Sequence, residues 1–139
     1  MRSCTAEVEF VEEANLHYYQ AVAAQSLPDL DDIWLPSEAC RCLLPGWPLL
    51  YGWSSIRRGW QALFDCTREL SVSVDRVTVQ IEGDRAWLNC RERMQRVVDI
   101  HCRQNWLRVA NLFWKRQGRW RLVLHHAAPL AASPGRWLQ

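Results

Sequence analysis

The stretch that decides the fold is LSVSVDRVTVQIEGDRAWLNCRERM, residues 70–94, because apolar and polar residues alternate along two successive segments of it. Alternation with a period of two is typical of a β-strand with one buried face. The alternation changes phase at Asp75-Arg76, which predicts a β-bulge and therefore a bent sheet. Gly83-Asp84 predicts a hairpin turn between the two segments. The stretch therefore indicates two long antiparallel strands in a curved sheet.

Further strands are predicted on both sides of this hairpin. After it, one strand alternates around Leu107 to Trp114, and Gln117-Gly118 turns the chain into a last strand, Trp120 to Ala128. Before it, a short strand from Ala39 to Leu44 ends at a Pro-Gly turn, and Leu49 to Gly52 is its expected hairpin partner.

Three helices are predicted in the first half of the chain. The first, Ala6 to Gln25, has an apolar stripe at helical spacing. The second runs from Asp29 to Trp34 and is opened by Pro28, and the third runs from Ser54 to Cys66 with Ser54 as its N-cap. The stripe of the first helix is read as Phe10, Ala14, His17, Ala21 and Ala24, widened by Val11, Tyr18 and Val22.

Helices followed by long strands predict an α+β fold, in which three N-terminal helices cover one face of a strongly curved, mostly antiparallel sheet. A bent sheet covered on one face encloses a cone, and the mouth of a cone is a common place for an internal pocket. The 139 residues are expected to form one domain, with a core from about residue 6 to residue 129 and a loose tail at 130–139.

The composition is that of an ordinary folded protein with many tryptophans. Hydrophobic residues make up 49% of the chain and charged residues 23%, which argues against disorder. Nine tryptophans indicate a lined cavity, an interface, or a core filled with large side chains. A formal net charge of +2 does not favour nucleic-acid binding, because such proteins usually carry a concentrated positive charge.

The sequence predicts a cytoplasmic protein without metal or cofactor. No apolar run reaches the length of a membrane helix, and the first residues lack the apolar core of a signal peptide. The six cysteines are therefore expected to be free thiols. Cys40-Arg41-Cys42 is spaced too closely for a structural zinc pair, and no glycine-rich phosphate loop is present.

A set of short segments occurs in a characteristic order over roughly residues 10 to 129: Tyr19-Gln20-Ala21, Leu30-Asp31-Asp32-Ile33-Trp34, Pro45-Gly46, Gly52 to Trp60, Asp84-Arg85-Ala86-Trp87, Glu92, Asn111-Leu112-Phe113 and Trp120-Arg121-Leu122-Val123-Leu124-His125-His126. In these segments the chain resembles the SnoaL-like branch of the nuclear transport factor 2-like superfamily. The resemblance implies a cone of one long helix, two shorter helices and a curved sheet. It implies no single activity, because the superfamily holds isomerases, cyclases, epoxide hydrolases, dehydratases and transport adaptors.

Two of the activities known in the superfamily lack a counterpart here. Ketosteroid isomerases of this fold use an Asp base near the first strand, whereas this chain has no carboxylate between Glu38 and Asp65. Epoxide hydrolases of this fold use an Asp–Arg–Asp trio in the pocket. In this chain most arginines of the predicted strands lie on the face opposite the apolar one.

Four residues are candidates for acid–base chemistry. Glu92 is in phase with Ala86, Leu88, Cys90 and Met94, so it is expected to face the interior, where burial raises the pKa of a carboxyl group. Asn111 shares a face with Leu107, Val109 and Phe113 and could orient a ligand or hold Glu92. His125 and His126 point to opposite faces, and a histidine beside Glu92 would form an acid–base pair. The alternation leaves open which histidine faces inward, and structural roles remain open for all four residues.

A second set of residues is expected to line the pocket. His17 could reach it from the first helix. The other candidates for the lining are Tyr18, Trp34, Cys42, Trp60 and Met94. Ordinary core packing would place these apolar side chains in the same positions. The expected ligand is a small apolar or aromatic molecule.

The opposite face of the sheet carries Trp87, Trp106 and Trp114 between arginines. In this fold the outer sheet face is often the dimer interface, and Trp and Arg are favoured interface residues. Dimerisation is therefore preferred to nucleic-acid binding for this face. Two leading hypotheses of function remain. The first is a small-molecule pocket protein, with catalysis left open and, if it is an enzyme, proton transfer or water addition as its reaction. The second is a non-catalytic dimeric binding or assembly module.

Overall fold

The computed structural model describes residues 4–130 of the chain. In chain order the elements are α1 (Cys4–Ala23), α2 (Leu27–Ile33), β1 (Arg41–Leu43), β2 (Leu50–Tyr51), α3 (Trp53–Asp65), β3 (Glu69–Glu82), β4 (Arg85–Val98), β5 (His101–Arg116) and β6 (Arg119–Pro129). The six strands form one sheet in the order β2-β1-β6-β5-β4-β3. All neighbouring strands are antiparallel except β1 and β6, which are parallel. The predicted α+β class and the curved, mostly antiparallel sheet are confirmed.

The predicted bulge lies in β3. The register of β3 against β4 shifts between Asp75 and Thr78, and Arg76 within this interval has a positive φ of 54°. The predicted turn at Gly83 and Asp84 joins β3 to β4, and the two strands pair continuously on either side of the bulge. Because a bulge increases local twist and bends the strand, it curves this end of the sheet toward the helices.

Helix α1 packs against the sheet with only part of the predicted stripe. The buried positions include Val11, Asn15, Tyr18 and Val22, which recur every three or four residues. The predicted stripe is wrong at three positions, because the side chains of Phe10, His17 and Ala24 are exposed. Alanines lie on several sides of this helix, so hydrophobicity alone did not fix the orientation of the helix around its axis.

The starts of α2 and α3 are built differently from each other. Ser26 caps α2, because its hydroxyl oxygen accepts a hydrogen bond from the backbone N–H of Asp29 at 3.2 Å. Helix α3 starts after Gly52, and no side chain caps it. The expectation that Ser54 is the N-cap of α3 is therefore wrong; the Ser54 hydroxyl oxygen instead accepts a hydrogen bond from Arg58 at 3.0 Å.

Helices α2 and α3 are tied together by one carboxylate. Asp31 accepts two hydrogen bonds from the guanidinium of Arg57, at 2.8 and 3.1 Å, and a third from the indole N–H of Trp53 at 3.0 Å. These bonds lower the pKa of Asp31, chiefly through Arg57. The indole of Trp53 in turn stacks on that of Trp34, with ring centroids 5.5 Å apart.

The predicted hairpin of β1 and β2 is confirmed, with Cys42 opposite Leu50. Leu50 packs against α3 at Gly59, where an added Cβ atom would lie 2.7 Å from a Leu50 methyl group. This close approach explains a glycine in the interior of α3.

Strand β6 ends one residue after the predicted end of the last strand at Ala128. Pro129 is the last residue of β6, and the backbone N–H of Leu130 donates a hydrogen bond to the carbonyl oxygen of Trp106 at 3.0 Å. The rest of the predicted tail, 131–139, lies outside the described residues. Within residues 4–130, no helix combines the length and the hydropathy needed to cross a membrane.

Candidate functional site

Glu92 lies in the interior of the cone, as the alternation of β4 predicted. Its side chain is 1% exposed, and its Oε2 atom has no hydrogen-bond partner among the described residues. Burial raises the pKa of Glu92 to about 7, and the nearby Tyr19 hydroxyl opposes the shift. A buried carboxyl group with such a pKa can both hold and release a proton near neutral pH.

Aromatic rings fill the space around Tyr18. The Tyr18 ring lies 4.8 Å from that of Tyr19, 6.2 Å from Trp60 and 6.4 Å from Trp34, with edge-to-face geometry in each pair. The indole nitrogens of Trp34 and Trp60 are buried without a hydrogen-bond partner in the described part of the chain. The interior is therefore aromatic but holds donors that a polar ligand atom could satisfy.

A chain of hydrogen bonds crosses the interior beside Tyr18. The Nδ1 atom of His125 lies 2.6 Å from Oδ1 of Asn111, whose amide nitrogen donates to Oδ1 of Asn15 at 2.7 Å. Because an amide oxygen can only accept, Nδ1 of His125 must carry the proton, and Nε2 keeps its lone pair. The ring of His125 lies 5.1 Å from that of Tyr18.

The structure also decides between the two neighbouring histidines. His125 is buried, whereas His126 is exposed on the outer face. The register of β5 against β6 shifts where Leu112 pairs with Leu124 and Phe113 pairs with Leu122, so Val123 is an extra residue. This irregularity buries both Leu122 and Val123 and reverses the alternation that follows. The role predicted for His126 in the interior is therefore wrong.

Glu92 and His125 share the interior but are not neighbours in the sheet. Asn111, the partner of His125, pairs with Leu88 on β4, and Glu92 lies four residues further along that strand. At the usual rise per residue, Glu92 lies about 13 Å along β4 from Leu88, the residue opposite Asn111. The alternative in which Asn111 holds Glu92 is wrong, because both atoms of its amide group bond to His125 and Asn15. Tyr18 packs against His125, and the charge of Glu92 raises the pKa of Tyr18 further above its buried value.

The remaining predicted residues divide into buried and exposed ones. Those that the structure buries are Tyr18, Trp34, Cys42, Trp60 and Met94. His17 is not among them: its side chain is 55% exposed and faces Glu13 on the outside of α1, so its predicted place in the interior is wrong. Sequence reasoning placed Cys90 on the interior face but missed Asn15 and Tyr19 as members of the interior cluster around Tyr18. Asn15 lies three and four residues before Tyr18 and Tyr19, which is the signal that could have identified it.

Apart from Glu92, the titratable groups of this cluster are neutral at neutral pH. Burial raises the pKa values of Tyr18 and Tyr19, and repulsion from Glu92 adds to both shifts. Burial likewise raises the pKa of Cys90 to about 11 and lowers the pKa of His125 to about 3. Among the described interior groups, Glu92 is therefore the one that titrates near neutrality. No cluster of three or more candidate metal ligands occurs in residues 4–130.

Comparison with known proteins identifies the family. The family model described as a SnoaL-like domain matches residues 11–132. The chain belongs to the SnoaL-like family. Its fold agrees: a structure from Streptomyces avermitilis, named as a proposed dehydratase of the NTF2-like family, has a TM-score of 0.86. That protein is 25% identical, and the match covers 94% of this chain and 100% of the other.

Other relatives of this SnoaL-like chain have different names. A proposed calcium/calmodulin-dependent protein kinase type II association domain from Thiobacillus denitrificans has a TM-score of 0.76 and is 26% identical, over 86% of this chain and 94% of that one. The F-box protein SKIP8 of Arabidopsis thaliana is 24% identical over 114 residues, which are 82% of this chain and 47% of SKIP8. The chain therefore spans about half the length of that curated relative.

The cavities described in this SnoaL-like domain open at its surface. Two of them, of about 370 and 320 Å³, adjoin along α1 and share His17 and Asp32 in their walls. A third, of about 580 Å³, lies on the outer face of the sheet beside Trp87 and Trp114. None of the described cavities is lined by Glu92, Asn111 or His125.

The outer face of the sheet is aromatic and cationic. Trp87 is 46% exposed and Trp106 is 41% exposed. The guanidinium groups of Arg91 and Arg93 lie over the Trp106 ring, at 4.9 and 5.4 Å from its centroid. Such guanidinium–indole contacts stabilise the observed orientation of the Trp106 ring.

Proposed function

We propose that this protein binds a small, neutral, largely apolar or aromatic molecule inside the cone and exchanges a proton with it through Glu92. The observation that carries the proposal is the buried Glu92 carboxyl group, whose Oε2 has no partner among the described residues. Leaving a buried acceptor without a hydrogen bond costs about 1–3 kcal/mol. Such a group with a pKa of about 7 has the properties of a general acid or base.

Charge in the interior favours a neutral ligand. The buried polar residues of the described chain are Asn15, Thr67, Glu92, Asn111 and His125, and none of them carries a positive charge when His125 is neutral. An anionic ligand would meet a carboxyl group without a compensating Lys or Arg side chain, which is costly in a low-dielectric site.

The other interior residues have supporting roles in this proposal. Asn111 and Asn15 hold His125 so that Nε2 can accept a hydrogen bond from the ligand. Trp34 and Trp60 supply ring surfaces and N–H donors. Tyr18 packs against His125 and is acted on by the charge of Glu92, so its ring would contact a ligand bound at these groups.

A pair of probes that share one ring system tests the proposal. 2-Naphthol is neutral and carries a hydroxyl donor, whereas 2-naphthoate is an anion. We expect 2-naphthol to raise the thermal midpoint of the parent as its concentration increases, and 2-naphthoate to have no such effect. NMR signals of Tyr18 and His125 should shift with 2-naphthol alone.

Matched variants separate the role of Glu92 from that of surface charge. Glu92→Gln should weaken binding of 2-naphthol, whereas Glu12→Gln, which changes an exposed carboxylate on α1, should not. The proposal is contradicted if neutral aromatic probes leave the interior signals unchanged, or if naphthol and naphthoate bind equally well to the parent and to Glu92→Gln.

A second candidate function, a dimeric assembly module, is favoured by the outer face of the sheet. The exposed Trp87 and Trp106 and the half-buried Trp114 form an aromatic surface with arginines around it. The structure from Thiobacillus denitrificans is named as an association domain. Sedimentation equilibrium tests this candidate: the parent should be a dimer and the double variant Trp87→Glu/Trp106→Glu a monomer. A monomeric parent would contradict it.

A further inference from the structure

The strand edges of this sheet differ in how they are protected against further pairing. Strand β2, at one side of the sheet, has only two residues. Strand β3, at the other side, is interrupted by the bulge between Asp75 and Thr78, and α1 packs against it. Short edge strands and bulges are the usual ways in which proteins prevent pairing with another chain.

A third edge, on β5, has neither of these features. Strand β5 has 16 residues and β6 has 11, and their pairing begins at Leu107 with Pro129. One further hydrogen bond, from Leu130 to the carbonyl oxygen of Trp106, is the last backbone hydrogen bond between the two segments among residues 4–130. Within this described part of the chain, no residue pairs with the β6 side of residues 101–105, and all five of these residues are exposed. Residues 101–105 are called the free edge below.

The direction of the backbone groups follows from this last hydrogen bond. The carbonyl of Trp106 points to the β6 side of the strand. Backbone groups alternate between the two sides of a strand, so those of Gln104 and Cys102 point to the same side. Residues 101–106 pair with β4 without a break, and the groups of Arg103 and Asn105 point toward that strand. The free edge therefore offers backbone donors and acceptors at alternate residues.

The hairpin that carries the free edge has a positive charge. Between residues 93 and 106 the basic side chains are Arg93, Arg96 and Arg103, and the single carboxylate is Asp99 at the turn. Arg93 lies over the ring of Trp106, and Arg96 bonds to the hydroxyl group of Thr67. Of these charges, Arg103 lies on β5 itself, and Arg93 reaches from β4 over the ring of Trp106 on β5.

We propose that the free edge binds an extended, acidic segment of a partner protein, which adds to the sheet as a further strand. Backbone hydrogen bonds to Gln104 and Cys102 supply affinity, and carboxylates of the segment next to Arg93 and Arg103 supply selectivity. The proposal concerns a surface outside the cone and does not depend on the function proposed for Glu92.

A peptide-binding experiment with the full chain tests this proposal. The probe is a short, fluorescein-labelled peptide of alternating glutamate and valine, followed by fluorescence anisotropy. The same peptide with lysine in place of glutamate tests selectivity, and a version methylated on alternate backbone nitrogens tests strand addition. We expect the glutamate peptide to bind the parent, and the lysine and methylated peptides to bind about tenfold more weakly or not at all.

Two variants at one position separate the backbone from the side chain. Gln104→Pro removes a backbone N–H that points away from β4, and it leaves the hydrogen bonds to β4 intact. The variant should therefore fold and lose peptide binding. Gln104→Ala keeps the N–H and should bind about as tightly as the parent. Amide signals of Cys102 and Gln104 in the parent should become protected from exchange when the peptide binds.

Several outcomes would overturn the proposal. They are absence of binding to the parent, equal binding of the lysine or methylated peptide, and unchanged binding by a folded Gln104→Pro variant. Binding only to a chain that ends at Leu130 would show that residues 131–139 compete for the edge, and a parent dimer that Gln104→Pro dissociates would show that a second copy takes it. Either result would mean that the free edge is occupied by this other segment and not by an acidic segment of a partner protein.

Discussion

At the scale of single residues, Asn111 organises the interior. Its oxygen accepts from His125 and its nitrogen donates to Asn15, so one side chain joins β5, β6 and α1. A direct consequence is the tautomer of His125, because the amide oxygen requires a proton on Nδ1. The buried imidazole stays neutral and presents Nε2 for hydrogen bonding with a ligand.

Removal of this amide is expected to be costly. Asn111→Ala leaves the Nδ1–H of His125 and the Oδ1 of Asn15 without partners in the interior, so it should lower the free energy of unfolding by about 2–4 kcal/mol. Asn89→Ala, at an exposed position on the neighbouring strand, should change it by less than about 0.5 kcal/mol. Urea denaturation of both variants checks this; equal effects would contradict the role of Asn111.

The sequence predicts residues of regular strands better than residues next to irregular ones. Glu92 and Asn111 lie in uninterrupted alternation, so their inward orientation could be predicted. His125 follows the extra residue Val123, which no turn or glycine signal announces, so the alternation could not choose between the histidines. The inward orientation predicted for His17 was wrong for another reason. The alanine-rich helix α1 has no single apolar stripe, and polar Asn15 lies on its buried face.

At the scale of secondary-structure elements, the helix caps show where local sequence signals were ambiguous. Serines occur at the starts of both α2 and α3, but only Ser26 accepts a hydrogen bond from a free backbone N–H of its helix. Helix α3 starts at Trp53, directly after Gly52, which has a positive φ of 79°. A serine in a first turn resembles a cap in the sequence, and the backbone conformation of the preceding residue decides the matter.

A comparison of the two serines tests this assignment. Ser26→Ala removes the cap of α2 and should lower the free energy of unfolding by about 1 kcal/mol. Ser54→Ala removes a hydrogen bond from exposed Arg58 and should have an effect below about 0.5 kcal/mol. Thermal unfolding of the two variants measures the difference, and a larger loss for Ser54→Ala would contradict the observed helix start.

At the scale of the whole molecule, the sheet and its helices enclose one carboxyl group that the solvent does not reach. The period-two strands, the bulge in β3 and the hairpins predicted the curved sheet, since each is a local signal. The contents of the interior could be predicted only in part, because they depend on the orientation of α1 and on the irregularity in β6. Burial of Glu92 among Tyr18, Tyr19 and Cys90 is a property of the assembled fold.

This burial makes the stability of the molecule depend on pH in a definite direction. The pKa of Glu92 rises from an ordinary value of 4.5 to about 7 in the folded protein. Between these values the folded state binds more protons than the unfolded state, so the free energy of unfolding falls as pH rises. The stabilising contribution is complete below pH 4.5 and is lost as pH rises through about 7.

The most direct test of the buried, titrating Glu92 is the free energy of unfolding of the parent and of Glu92→Gln, each measured at about pH 5 and about pH 8. Glutamine does not titrate, so the parent should lose about 2–3 kcal/mol more than the variant between these conditions. The cost of the amide itself and the titration of all other groups cancel in this double difference, and Glu12→Gln should follow the parent. Equal pH dependence of the parent and Glu92→Gln would mean that Glu92 titrates as an ordinary surface carboxylate, which would contradict its proposed role in proton transfer.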